Sequence, residues 1–177
     1  MINGQEYGKA LFMLSNEEGI EEAIFEELGD VARVLSSNPA YVKLLDSPAV
    51  STGEKIKMID EAFSGVHLYI MNFLKILCEK RSVYAFDACC RGYTEAYDLS
   101  ANILRATAIT AVEMTETQKE TLAKKLEQKS GKKVVLENRV DEGIIGGVRL
   151  RYGGVQLDGT VSNRLEALRK ALESISV

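Results

Sequence analysis

The side chains that most often carry out chemistry are few in this chain and poorly assembled. Among 177 residues there is one histidine, His67. With that imidazole alone, neither a Ser-His-acid triad nor a multi-histidine metal site is read. Cys78, Cys89 and Cys90 lack the Cys-x-x-Cys spacing of a redox or zinc motif. Cys90 falls on an apolar stripe with Cys89 beside it, which reads as small buried hydrophobes rather than a reactive pair. Reduced thiols fit a cytosolic compartment. The glycine-rich stretch 143–154 invites a phosphate-loop reading, but no Gly-Lys-Ser/Thr follows it. Gly146 and Gly147 then mark a bulge or a close backbone approach. Asp141 and Asp158 can be paired on paper as acid and base, yet both fall at predicted strand ends, where carboxylates cap turns. Arg149 and Arg151 alternate on one strand face. They suit either an anionic or acidic partner or the wet face of a sheet. Lys124, Lys125, Lys129, Lys132 and Lys133 form a basic run across a helix end, read as solvated surface. No cofactor site emerges.

Composition agrees with an ordinary globular protein: 46% hydrophobic, 27% charged, mean hydropathy −0.07. No apolar run reaches the roughly 18 residues of a spanning helix, which predicts no direct membrane insertion. The start, MINGQEYGKALF, predicts no secretory leader. Charge divides along the chain. Residues 1–104 hold 16 acids and 9 bases, net −7, and residues 105–177 hold 10 acids and 13 bases, net +3. Opposite signs suggest two modules with different partners, or two merely solvated surfaces. A net +3 without aromatic-flanked basic clusters argues against nucleic acid.

The elements that must position these residues divide at the same place. Up to Leu104 the chain reads as six helices. Tyr7, Leu11 and Leu14 mark the first, and Ile20, Ile24, Leu28, Val31 and Leu35 the second, which Asn38-Pro39 stops. A short segment around Tyr41–Leu45 follows. Ser51 and Glu54 stand at capping-box spacing before a fourth helix that Gly65 ends. The fifth, about Val66–Lys80, is apolar nearly all round, so it is either a central rod or partly covered by a partner. The sixth runs about Tyr84–Leu104. This predicts an all-α six-helix bundle over 1–104. After Leu104 the period becomes alternating. Strands are expected at about 107–112, 132–139, 144–152 and 155–158, with a Thr115/Gln118-capped helix between the first two. A final helix from about Thr160 aligns Val161, Leu165, Leu168, Leu172 and Ile175. Residues 105–177 are thus expected to form a small α+β domain, β-α-β-β-β-α.

One irregular pattern is more specific than any of these. Val134-x-Leu136-x-x-x-Val140-Asp141-x-x-Ile144-x-Gly146-Gly147-Val148-x-Leu150-Arg151-x-Gly153 resembles the signature of the delta subunit of bacterial F-type ATP synthases, counterpart of the mitochondrial oligomycin-sensitivity-conferring protein. Leu157-Asp158-Gly159-Thr160-Val161 with Arg164-Leu165, and Tyr7-x-x-Ala10-Leu11, are similar to further stretches of that family. The family usually has proline where Glu142 stands and alanine where Gly8 stands; Gly8 is expected to soften the first helix.

The resemblance implies a non-enzymatic stator on the cytoplasmic face of the bacterial cell membrane, part of the proton-translocating complex. Its helical domain would cap the catalytic head, and its C-terminal domain would grip the b subunit's C-terminal region. The alternative is a small ligand-binding or enzymatic module on the α+β half. The resemblance also implies that an N-terminal helix of an alpha subunit lies between the first and fifth helices. That places Tyr7, Ala10, Leu11 and Leu14 opposite Phe73, Ile76 and Leu77, while internal core is the rival reading of the same residues. Arg149, Arg151, Leu168 and Leu172 are candidates for the stalk contact.

Overall fold

The computed structural model describes residues 3–167, so Leu168, Leu172 and Ile175 lie outside the described residues. The chain is mostly helical with a small four-stranded mixed sheet. It divides into two compact units, Met1–Leu99 and Ser100–Val177.

The described part of the first unit contains α1 (Gly4–Glu17), α2 (Glu21–Ser37), α3 (Pro39–Asp46), α4 (Thr52–Ala62), α5 (Leu68–Glu79), a 3-10 turn (Val83–Ala85) and α6 (Phe86–Ser100). Local chemistry sets most boundaries. Asn38 leaves helical geometry and Pro39 opens α3 at its first position, where a missing N–H costs nothing. Ser51 and Glu54 form the expected reciprocal capping box on α4. That helix ends at Phe63 rather than at Gly65, whose φ is not positive. The chain's one histidine caps α5: His67 Nδ1 accepts from the Tyr69 amide at 3.3 Å, and the His67 amide donates to Glu27 at 2.6 Å.

Large apolar side chains from all six helices meet in one core, including Leu11, Ile24, Leu28, Leu45, Ile59, Leu74, Leu77 and Phe86. Tyr93 is 1% exposed, and its hydroxyl shares a 2.7 Å hydrogen bond with Ser15 and donates to the Glu21 carbonyl at 2.9 Å. This polar knot is satisfied inside the core, as burial requires. Gly8 lets α1 approach α6. A Cβ there would lie 1.9 Å from the Cys89 carbonyl oxygen, and one on Gly92 would lie 2.2 Å from the Gln5 carbonyl oxygen.

The sixth helix stops short of Leu104. Asn102 adopts φ 53°, a left-handed conformation that asparagine tolerates, and its side-chain amide donates to the Gly131 carbonyl at 3.2 Å. Ile103 and Leu104 therefore open β1 (Ile103–Thr110) instead of closing a helix. There follow α7 (Glu116–Ser130), β2 (Lys133–Val140), β3 (Val148–Tyr152) and β4 (Val155–Asp158). The sheet order is β2-β1-β3-β4, with β1 and β2 parallel and the other pairs antiparallel. Thr115 and Gln118 cap α7, and Gly131 ends it at φ 69°. Residues 161–167 are helical.

The strand expected from 144 begins only at Val148. Before it, Gly147 takes φ 88° and Ile144 turns into the interior at 5% exposed. Gly153-Gly154, both with positive φ, turn β3 into β4 by a two-residue hairpin pairing Tyr152 with Val155. Ala106, Ala108, Leu126 and Leu150 form a small core, fringed by Leu122, Val148 and Tyr152.

Candidate partner-binding site

On α1 and α5, which pack against each other, the seven side chains expected to meet a partner divide into two classes. Leu11, Phe73 and Leu77 are 4%, 6% and 0% exposed and belong to the core of the first unit. They lie within the packed interior of that unit. The physical reason is that α5 is apolar on several sides, and its Ile70-Phe73-Leu74-Leu77 side is the one its neighbours cover. Leu14 and Ile76, in contrast, are 50% and 45% exposed. Ala10 is exposed and Tyr7 half-buried. Two further residues belong with them. Met13 and Leu68 are each 63% exposed. Spacing alone could have found both, since 10, 13 and 14 share one helix face and 68, 72 and 76 another.

In the second unit, strand parity puts Arg149 and Arg151 on one face of the sheet and Val148, Leu150 and Tyr152 on the other, toward α7. Thr107 pairs with both Arg151 and Glu137, so the polar face also carries Arg105, Lys133, Glu137 and Arg139. Arg149 is committed within the fold: its Nε donates to Asp158 at 3.0 Å. Arg151 is exposed. The most exposed large apolar side chains among the described residues of this unit are Val112 and Ile145, 73% and 81% exposed. They flank a cleft of about 630 Å³ that Met114, Leu122 and Val148 help to line.

Several of the signature residues hold turns and corners of the fold. Asp141 Oδ1 accepts from the Gly143 amide at 2.9 Å and holds the turn after β2. Gly147 sits under the Gly159–Thr160 corner, where a Cβ would come within 2.5 Å of the Gly159 carbonyl oxygen. The Gly159 amide donates to Val148, and the Val161 amide to Gly146, each at 3.0 Å. The Arg164 amide continues the helix with a 3.2 Å bond to Thr160. Val140, at the end of β2, is 53% exposed. The Thr160 hydroxyl, ahead of the Arg149 guanidinium, holds the Asp158 carboxyl below the usual carboxylate range. Asp141 and Asp158 thus brace two different corners.

Nothing in the described residues brings reactive groups together. Among them no group of histidine, cysteine and carboxylate side chains has a metal-binding arrangement. Burial pushes the Cys89 thiol up to about 11 and the Cys90 thiol up to about 12. Both are therefore protonated, weak nucleophiles at neutral pH. No described helix is long and apolar enough to cross a membrane.

Comparison with known proteins identifies the family. Residues 4–172 match the family model described as ATP synthase delta (OSCP) subunit. The chain is 36% identical to the ATP synthase subunit delta of Clostridioides difficile (strain 630), covering 99% of each. It is also 36% identical to that of Alkaliphilus oremlandii (strain OhILAs), covering 97% of this chain and 96% of the relative. Its fold is shared with a chain of the Toxoplasma gondii mitochondrial ATP synthase hexamer, at a TM-score of 0.72 and 19% identity, over 97% of this chain and 98% of that one. The chain belongs to the ATP synthase delta (OSCP) subunit family, a non-catalytic peripheral-stalk component of the F-type ATP synthase.

Proposed function

We propose that the chain is a stator clamp with one grip in each unit. The first unit, residues 1–104 in the sequence division, acts as a six-helix bundle on the catalytic head. It takes an amphipathic N-terminal helix of an alpha subunit along α1 and α5. The contact side chains are Tyr7, Ala10, Met13 and Leu14 on α1 and Leu68 and Ile76 on α5, with Leu11, Phe73 and Leu77 as the packed floor beneath them. The second unit, residues 105–177, receives the C-terminal region of the b subunit. Candidate contacts there are Arg151 and the apolar cleft beside Val112 and Ile145. Leu168 and Leu172 are candidates on sequence alone. Joining head and stalk in this way resists the torque that the rotor exerts on the head, from the cytoplasmic face of the membrane.

The observation that carries this reading is the set of exposed apolar side chains on both helices, Ala10, Met13 and Leu14 on α1 and Leu68 and Ile76 on α5. A side chain such as Leu68 or Met13, 63% exposed, contributes little to its own unit. Laid under the apolar face of a helix it would leave water, which is the physical basis of helix-in-groove recognition.

Titration of the protein with a peptide copying the N-terminal helix of the cognate alpha subunit, followed by calorimetry, tests it. One-to-one binding with a negative heat-capacity change is expected, and Ile76→Asp or Leu14→Asp should abolish it while circular dichroism stays unchanged. Phe73→Asp is a poor probe, since that ring is 6% exposed and a buried charge would disrupt the unit itself. Absence of heat at roughly tens of micromolar peptide, with folded protein, would overturn the assignment.

A further inference from the structure

The fifth helix starts on the chain's one histidine. The first amides of a helix find no partner further back in it, so each needs an acceptor at the helix start. Here the Ile70 and Met71 amides donate to the His67 carbonyl at 3.0 and 3.1 Å. The Tyr69 amide donates to His67 Nδ1 at 3.3 Å instead. Asparagine, aspartate, serine and threonine are the usual capping side chains, and none of them changes charge near neutral pH. Imidazole does.

A ring nitrogen accepts a hydrogen bond only while it carries no proton. The cap therefore fixes the neutral tautomer that has its proton on Nε2. A second proton puts an N–H on Nδ1, and two donors then face each other where one bond stood. The helix dipole also opposes a cation at this end. Two neighbours favour the charge. The His67 amide donates to Glu27 Oε2 of α2 at 2.6 Å, which keeps a carboxylate beside the residue. The imidazole lies over the Tyr69 ring, with centroids 5.5 Å apart and planes 20° from parallel, and an aromatic face attracts a cation. The remaining elements packed on α5 hold their charges elsewhere. At the end of α4, Asp60 pairs with Lys75 at 2.5 Å and Glu61 is exposed. On α1, Lys9 pairs with Glu95 at 3.7 Å, while Glu6 and Glu17 are exposed. The Val83–Ala85 turn has no charged residue.

We propose that His67 is a proton-sensitive cap, which closes the first turn of α5 while its imidazole is neutral and releases that turn on protonation. The sign follows from the bond. The cap's contribution is complete above the range in which imidazoles titrate, about pH 5 to 8, and is lost as pH falls through it. The residue next to the cap is Leu68, 63% exposed, one of the side chains assigned above to the alpha-subunit helix. Loosening the first turn unsettles that side chain, so acidification weakens the grip on the head. This consequence rests on the function proposed above; the cap itself does not.

NMR on the full chain tests the cap, since a single histidine gives a single imidazole titration. The neutral ring should carry its proton on Nε2. Protection of the Tyr69 amide, corrected for the intrinsic pH dependence of exchange, should fall about three- to tenfold between about pH 7.5 and 5.5. His67→Asn supplies a capping oxygen that does not titrate, and Tyr69 protection should then stay level. Glu27→Gln keeps an acceptor for the His67 amide without the charge; the loss should persist and move to lower pH. A neutral ring protonated on Nδ1 would overturn the proposal. So would level Tyr69 protection in the unmutated chain, or an equal fall in His67→Asn. A loss that vanishes in Glu27→Gln would assign the titration to the carboxylate and overturn it as well.

A second measurement separates the cap from the grip. Affinity for the alpha N-terminal peptide should weaken about threefold or more over the same pH interval in the unmutated chain. It should weaken less in His67→Asn, and titration of the peptide itself cancels in that comparison. Equal pH dependence in both would overturn the link from cap to grip. Failure of the unmutated chain to bind the peptide at either pH would count against the proposed function, and the exchange result would still decide the cap.

Discussion

The first unit buries a full set of large side chains almost completely, whereas the described part of the second buries few. Tyr93, Ile24, Leu45, Ile59, Ile70, Leu74 and Leu77 are all under 2% exposed in the helical unit. The central core of the sheet unit is two alanines, Ala106 and Ala108, with Leu126 and Leu150 each 9% exposed. The small side chains suit close approach of α7, but they remove little apolar area from water. What the sheet unit lacks in core it has in directional bonds: a strand ladder, an Asx turn at Asp141 and the Asp158–Thr160–Arg149 brace. The two units therefore differ in what a mutation can break. In the first, shape dominates; in the second, hydrogen-bond geometry does.

The largest expected effect comes from two neighbours on α5. Leu77→Ala should cost about 2–5 kcal/mol by leaving a cavity in a filled core. Ile76→Ala, one position earlier and 45% exposed, should change stability by about 0.5 kcal/mol or less. Urea unfolding of both variants measures the difference. Equal losses would mean that the exposed stripe is core after all and that the helical unit offers no apolar surface to a partner.

Gly8→Ala is next. The added methyl would meet the Cys89 carbonyl oxygen at 1.9 Å and the Tyr93 amide nitrogen at 2.7 Å. Both are backbone atoms that no rotamer change can move, so α1 and α6 must separate at a cost of about 1–3 kcal/mol. On helix propensity alone the same substitution would stabilise by about 1 kcal/mol. The sign of the measured change thus decides between local propensity and tertiary fit.

That contrast shows what could be read from residues in order. Both capping boxes, at Ser51/Glu54 and Thr115/Gln118, were legible because a cap is a short-range bargain among four residues. So was the alternation that separates Arg149 and Arg151 from Val148, Leu150 and Tyr152. The end of α6 was not. Ala101 and Leu104 continue its stripe at helical spacing, and what removes Leu104 from the helix is its pairing with Val134 on a parallel strand thirty residues away. The delayed start of β3 has a similar cause, since Gly147 is turned by the Gly159–Thr160 corner that passes over it. On α5 the periodicity located an apolar helix without telling which sides its neighbours would cover. Phe73 and Ile76, three residues apart, differ in this way, one buried and the other exposed.

The smallest expected effect is a difference in acid sensitivity. Each unit holds one carboxylate below its ordinary range at a helix start. Glu54 is held there by the Ser51 hydroxyl and amide, and Asp158 by the Thr160 hydroxyl and amide together with Arg149. Both shifts are downward, so their stabilisation is complete above the pH where an unfolded carboxylate titrates. It is lost as pH falls below the ordinary carboxylate range and through the lowered folded values. Protonating Asp158 removes the negative charge that faces the Arg149 guanidinium. In the helical unit the loss of the Glu54 bonds frays one turn above a full core. In the sheet unit the same event loosens the helix start at Thr160, beside a much smaller core. Amide exchange followed down to about pH 3 should therefore show Val161 and Asn163 opening before the α4 amides that follow Glu54. If α4 opens first, core size does not govern how far a lost cap spreads, and the contrast between the two units fails at its most local test.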